Sequence, residues 1–336
     1  MSQSPQVPSA GPAPFEVSAC QDTLLIRLPS RLTVAEAVLL RDAIPAWLAD
    51  PLLRSLVFDF GHTSVIDSSG IGALVGALKA ARARSISLVA WSVNHQVRLA
   101  LSMTGLDALI PITPHTEAIA PEPGRREERR PPLTHPSVRS PLKRLIDIVG
   151  ALVGLSITAL LVLPIAIAIR IDSPGPILFS QVRCGWMGRR FRIWKFRSMV
   201  SNAEALKASV ANQAAGAFFK NENDPRITRV GRFLRKTSLD ELPQFWNVLC
   251  GDMSLIGTRP STPDEVGLYD VPNWRRFDVK PGLSGEWQVS GRSSIRRFED
   301  VIELDLRYQR NWSLRHDLNL ILRTVLVVFS PRSGGM

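Results

Sequence analysis

Between residues 15 and 120 the apolar positions switch repeatedly between a strand-like and a helix-like period. Residues 24–28 and 55–60 are short runs of Leu, Ile, Val and Phe, whereas 34–48 and 70–83 carry their apolar residues at helical spacing. Strand and helix in alternation predict an α/β unit around a buried sheet. Residues 121–141 follow, with six prolines and the basic run Arg125-Arg126-Glu127-Glu128-Arg129-Arg130 but almost no large apolar side chain. That composition predicts an extended, solvated linker. Next comes the one membrane-length apolar run, the 25 residues 145–169, interrupted by Asp147, Ser156 and Thr158. As helix it would measure about 37 Å, enough for a hydrocarbon core of roughly 30 Å.

Both flanks of this run are basic, with Lys143 and Arg144 before it and Arg170, Arg183, Arg189 and Arg190 after it. Lys and Arg mark cytoplasmic flanks, so both ends are expected on that side. A re-entrant helix satisfies this by leaving the membrane on the face it entered, and Pro164, which lacks a backbone donor, is the candidate helix break. Two further apolar segments, 245–255 and 318–329, are too short to span. They are expected as in-plane helices at the headgroup level, although the second suits a core helix equally well.

Charge changes the picture by being uneven. The chain carries a formal +11, yet residues 1–120 hold 8 Lys and Arg against 9 Asp and Glu, so the excess lies entirely downstream. A basic downstream region attracts phosphate in any form. The arginines accompany membrane-affine segments and no base-reading motif occurs, which argues against nucleic acid as a partner. The linker arginines could add on the order of 1 kcal/mol each toward an anionic leaflet, or belong to a plain soluble tether. Residues 1–14 lack the charged and apolar regions of a secretory signal and are expected to be disordered. Cys20, Cys184 and Cys250 show neither zinc-site nor disulfide spacing, which suits a reducing compartment.

Two short motifs carry candidate chemistry. At the third strand-to-helix junction, Asp67, Ser68 and Ser69 precede Gly70 and can cap the helix whose free amides point at them. Farther on, Asp240 and Glu241 stand just before Pro243. Proline fits only the first turn of a helix, which places the N-cap between about Asp240 and Leu242 and rules out Ser238 as the cap. Both carboxylates would then sit at the positive end of a helix, where negative charge and phosphate are favoured. On the residues alone, Asp240 as a cap and Glu241 as a first-turn acid is the simpler reading.

Residues 15–120, with Asp67-Ser68-Ser69-Gly70 and the later Ser102-Met103-Thr104-Gly105-Leu106, resemble a STAS domain of the anti-sigma-factor-antagonist type. The resemblance implies a regulatory unit, a candidate phosphorylation site at Ser68, and a protein partner or kinase. A phosphate there would add nearly two negative charges at a helix N-terminus. From Lys143 onward the chain resembles the bacterial sugar transferases, the monotopic phosphoglycosyl transferases. The matching pieces are Lys143 to Asp147, Asp172 to Pro176, Trp194 to Met199, Thr237 to Gln244, Gly251 to Gly257, Arg259-Pro260, Lys280 to Gly285, and Gln288 to Arg292. The family's Gly-Pro-Arg-Pro stands here as Gly257-Thr258-Arg259-Pro260, and its Ser-Pro helix break as Leu163-Pro164.

This second resemblance implies transfer of a sugar 1-phosphate from a UDP-sugar to polyprenyl (undecaprenyl) phosphate through a covalent aspartyl intermediate, with release of UMP, at the start of exopolysaccharide or glycoconjugate synthesis. It implies Asp240 as nucleophile and Glu241 as ligand of Mg2+ or Mn2+, which would screen two anionic substrates. It also implies phosphate contacts from Arg235, Arg259, Arg197 and Arg292, whose guanidinium forks suit phosphate oxygens. The expected organisation is a disordered N-terminus (1–14), an α/β STAS-like domain (15–120), a Pro/Arg-rich linker (121–142), a re-entrant membrane helix (143–171), and a mainly helical α+β monotopic catalytic domain (172–336). The expected location is the cytoplasmic face of the inner membrane, in contact with its lipids. The competing expectation is a membrane-tethered STAS signalling protein without turnover.

Overall fold

The computed structural model describes residues 14–113 and 134–329, apart from Gln21, 214–220, Glu222, 291–294 and Arg296. The expected disordered start, the Pro/Arg-rich core of the linker and Arg292 lie outside the described residues. The chain forms two compact units. The first holds the residues up to Thr134 together with Met187–Arg189 and Asp270–Asp278, and the second holds the remainder. The first unit therefore takes in two short pieces from far downstream in the chain.

In the first unit, β1 (Glu16–Cys20) and β2 (Thr23–Arg27) form an antiparallel pair, and β3 (Arg31–Leu32) leads into α1 (Val34–Trp47). Next come β4 (Ser55–Asp59), β5 (Val65–Ile66), α2 (Ser68–Ala83), β6 (Ser87–Trp91), α3 (His95–Thr104) and β7 (Ile112–Thr113). The main sheet runs β1-β2-β4-β6-β7, parallel from β2 onward, and β3 pairs with β5 as a separate parallel ribbon. The expected strands and helices fall within a residue or two of these limits. Leu56, Val57 and Phe58 of β4 are all buried, because a parallel sheet is covered on both faces, and Ile71 and Leu74 of α2 have essentially no exposure. The caps are those the side chains dictate: Asp67 accepts from Gly70 N at 2.9 Å, Asn94 accepts from Val97 N at 3.0 Å, and Gly105 ends α3 in the left-handed region.

The downstream piece in this unit is a 3-10 segment, Val271–Asp278, packed on α1 and α2. Trp274 lies flat against Gly72, where a Cβ would come within 2.4 Å of the indole. Only glycine allows that approach.

The second unit opens with α4 (Pro136–Arg139) and the 32-residue α5 (Pro141–Asp172), capped by Ser140. The strands β8 (Leu178–Cys184) and β9 (Arg190–Phe196) pair antiparallel. They are followed by α6 (Arg229–Lys236), α7 (Gln244–Cys250), β10 (Ser254–Ile256), α8 (Pro263–Gly267), β11 (Gly282–Ser284), α9 (Glu286–Val289), α10 (Phe298–Arg310) and α11 (Leu314–Phe329), with β10 and β11 paired in parallel.

Helix α5 has two different faces. Lys143, Asp147, Ala151, Gly154, Ile165 and Ile169 are buried at spacings of three, four or eleven residues, which are whole numbers of turns to within a residue and make one stripe of a helix. On the other side Leu145, Val149, Leu152, Val153, Leu160, Leu163, Ile167 and Ile171 are exposed. Such a helix is long and apolar enough to cross a membrane by length and composition. The expectation of a break at Pro164 is corrected: α5 continues through Pro164 to Asp172 as one helix. Contact from Ile165 and Ile169 to Phe196 and Leu234 holds the turn after the proline in place.

Two of the flanking charges have partners inside the protein. Lys143 is buried, donating to Asp317 Oδ2 at 2.7 Å and Ile256 O at 3.0 Å, and Arg144 donates to Val248 O and Leu249 O at 2.7 and 2.6 Å, capping the end of α7. These two of the six flanking charges are thus spent on protein partners. The segment 245–255 is likewise not one in-plane helix. Gly251, at φ 89°, stops α7, and β10 follows.

Candidate active site

Sequence places Asp240 and Glu241 before a helix, and the structure refines where. Ser238 adopts φ 56°, Leu239–Glu241 make a 3-10 turn, and α7 begins at Gln244 with Pro243 as its cap residue. The cap thus lies one to three residues later than expected. Ser238 makes no capping hydrogen bond, as the proline had implied. Asp240 is buried, at 6% exposure, while Glu241 faces the hairpin and accepts from Lys195 Nζ at 2.8 Å.

The hairpin is fixed to α7 by one side chain. Asn247 accepts from Trp194 N at 3.2 Å and donates to Arg192 O at 2.8 Å, so an amide takes the place of a neighbouring strand along β9. This sets the distance between Lys195 on β9 and Glu241 in the turn before α7.

Arg235 is positioned by close helix packing. At Gly231 a Cβ would sit 2.0 Å from Ser198 O, so glycine lets α6 press onto that strand end. One turn later Arg235 Nε donates to Ser198 Oγ at 2.9 Å. The start of α6 is occupied by Thr228 and Asp172, which accept from Gly231 N and Val230 N. Asp224 and Arg226 form a buried pair at 2.6 Å beside it, and although burial opposes the charge, Arg226 holds the Asp224 carboxyl below its ordinary value.

The other predicted arginines have partners of their own. Arg197 is buried and donates to Pro174 O and Ser173 O at 2.8 and 2.5 Å, which ties down the chain leaving α5. Arg259 makes a bidentate pair with Glu265, at 2.8 and 2.9 Å, and its guanidinium lies 5.9 Å from the centre of the Trp287 ring. Burial pushes Glu265 up, but the Arg259 charge and hydrogen bonds outweigh it and hold the carboxyl below its usual range. Three further charged residues meet the predicted ones or flank them. Lys195 stands beside Arg197 in a quoted motif, and its signal was a lone charge between the buried Ile193 and Phe196. Glu265 has a local signal as the last residue of the Thr262-Pro263-Asp264-Glu265 capping box, whereas only the fold brings Arg183 beside Arg259.

Among the described residues no group of three or more His, Cys, Asp and Glu could hold a metal ion. Two adjacent carboxylates nevertheless suit Mg2+, which commonly takes one or two carboxylates and completes its octahedron with water and phosphate oxygens. In the first unit, Ser68 is the first residue of α2, fully buried, with its hydroxyl donating to Asp278 Oδ1.

The bacterial sugar transferase profile matches residues 138–331. The chain belongs to the bacterial sugar transferase family. A STAS domain profile matches residues 15–119, in keeping with the α/β fold of the first unit. The family region is 50% identical over 188 residues to the galactosyl transferase CpsE of Streptococcus agalactiae, covering 55% of this chain and 42% of that protein. It is 44% identical over 195 residues to the undecaprenyl-phosphate galactose phosphotransferase of Salmonella typhimurium, covering 56% and 40%. The uncharacterized sugar transferase EpsL of Bacillus subtilis is 38% identical over 184 residues, covering 55% and 85%. The chain spans about two fifths of the length of the first two relatives. Among solved structures, the unphosphorylated anti-sigma factor antagonist SpoIIAA aligns at 22% identity and a TM-score of 0.28, covering 31% of this chain and 89% of that one.

Proposed function

We propose that this family member transfers a sugar 1-phosphate from a UDP-sugar to polyprenyl phosphate on the cytoplasmic face of the inner membrane, initiating a polysaccharide or glycoconjugate. The observation that carries the reading is the buried Asp240 beside the Lys195–Glu241 pair, within the region matched by the family. A carboxylate oxygen of Asp240 attacks the β-phosphorus, the bond to the bridging oxygen breaks, and UMP leaves with the electron pair. An oxygen of polyprenyl phosphate then attacks the same phosphorus and displaces Asp240 in turn. Splitting one transfer into two displacements is the usual gain of covalent catalysis. Glu241 is the carboxylate to hold a divalent cation, with Lys195 fixing its orientation until then; when bound, the ion would screen the phosphate charge that otherwise repels Asp240. Arg235, held by Ser198, supplies a fixed guanidinium near the same turn. The exposed side of α5, and Leu318, Leu322, Val325 and Leu326 on α11, form apolar faces suited to lipid.

Membranes containing the full chain, incubated with a panel of UDP-sugars, polyprenyl phosphate and Mg2+, should release UMP. Asp240→Asn should abolish release, and a chelator should stop it until Mg2+ is restored. Full turnover in Asp240→Asn would remove its role as nucleophile. No UMP with any sugar would favour the signalling reading instead. The STAS unit is assigned a regulatory role through Ser68, with a kinase or another protein as its partner, because Ser68 is bonded to a residue from the family-matched region, Asp278.

A further inference from the structure

Arg183, on β8, is not among the residues the family motifs pointed to. Its Nη1 donates to Pro260 O at 2.9 Å and its Nη2 to Gln181 Oε1 at 2.7 Å, both neutral acceptors. Its Nε is sealed from solvent and has no hydrogen-bond partner. The neighbouring Arg259 is differently placed, since Glu265 takes both arms of its fork. Asp305 faces the same corner but accepts from the Arg259 backbone amide.

A guanidinium that is desolvated, faces neutral oxygens and keeps an idle N–H is costly to fold around. Burial, helped by the like charge of Arg259, pushes Arg183 down to about 10, against the pull of Glu265 and Glu241. The geometric tie to the family motifs is Pro260, whose carbonyl accepts from Arg183 Nη1. An anion with several oxygens would answer that charge through the second hydrogens of the two terminal nitrogens, because a guanidinium fork matches tetrahedral phosphate oxygens.

We propose that Arg183 is a substrate-binding residue that holds the diphosphate of the nucleotide sugar, and that Arg259 with Glu265 is a positioning pair that fixes Pro260 O against it. This inference rests on the transferase reading. It gives the two arginines different tasks: Arg183 meets the anion, and Arg259 shapes the backbone that aims Arg183.

The test is binding of UDP and of inorganic pyrophosphate to the purified full chain in detergent, measured by calorimetry with Mg2+ present. Wild type should bind both, and Arg183→Gln should weaken both at least tenfold with its melting temperature close to wild type. Equal binding by a folded Arg183→Gln overturns the assignment while leaving the transferase reading in place. Absence of UDP and pyrophosphate binding in wild type overturns that reading itself. Should Arg183→Gln fail to fold, Arg183→Lys carries the test, since it keeps the charge and loses the fork. Pyrophosphate binding unchanged in Arg183→Lys also overturns the proposal, whereas recovery of binding in Arg183→Ala on adding methylguanidinium supports it.

Discussion

At the scale of single residues, the pairing of Glu241 with Lys195 matters most. Sequence places Glu241 next to Asp240, but the 2.8 Å contact from a strand 46 residues upstream determines which way the carboxylate points. A charge-assisted hydrogen bond contributes about 1.5–3 kcal/mol, or about 10- to 150-fold in rate where the transition state feels all of it. Lys195→Met should therefore lower UMP release within that range while leaving the fold intact, because the ammonium remains partly solvent-accessible. Steady-state kinetics against thermal melting would separate the two effects. A loss confined to the melting temperature would count against a role in the site.

At the scale of elements, a few contacts hold the hairpin, α7 and α5 together. Asn247 stands in for a strand beside β9, so Asn247→Ala leaves the Trp194 amide and Arg192 carbonyl unpaired, at about 1–3 kcal/mol for each buried group. The melting temperature should fall and Asp240 should lose activity with it, since the same helix positions both. Gly154 offers an independent test: a Cβ there would lie 2.4 Å from the Phe245 ring. Gly154→Leu should push α5 from α7 and cost about 1–3 kcal/mol by overpacking, read as a lower melting temperature in detergent. The same glycine would be tolerated as leucine if α5 were an isolated membrane anchor.

At the scale of the whole molecule, the chain leaves the second unit after Tyr269, contributes Asp270–Asp278 to the first, and returns at Val279. The Ser68–Asp278 hydrogen bond sits at the end of this excursion. Burial, with the nearby Asp67 charge adding to it, pushes the Asp278 carboxyl up to about 7, against the hydrogen bonds of Ser68 and the charge of Arg275. A carboxyl whose folded value is raised stabilises the seated form most at low pH, and that contribution is lost as pH rises from about 4 through 7. Hydrogen exchange of residues 270–278, corrected for intrinsic rates, should speed up between pH 5 and 8 in wild type and stay flat in Asp278→Asn. Ser68→Asp sets a third carboxylate beside Asp67 and Asp278 and should loosen the same segment at neutral pH. Unchanged exchange and UMP release in Ser68→Asp would remove Ser68 from regulation.

The sequence by itself determined the elements whose causes are local. The strand and helix periods of the first unit, the Asp67 cap, the length and purity of α5, and the exclusion of Ser238 as a cap by Pro243 all follow from the residues within a turn or two. Asp240, Glu241 and Arg235 are likewise legible as family motif positions. The tertiary structure decided what depends on distant groups: that Lys143 and Arg144 are spent inside the protein, that α5 continues through Pro164 because Phe196 and Leu234 support the turn beyond it, that Lys195 meets Glu241, and that Asp278 reaches Ser68 across 210 residues. Periodicity and capping report a residue's own helix or strand. Which charges meet depends on how those elements pack, and no local pattern encodes it.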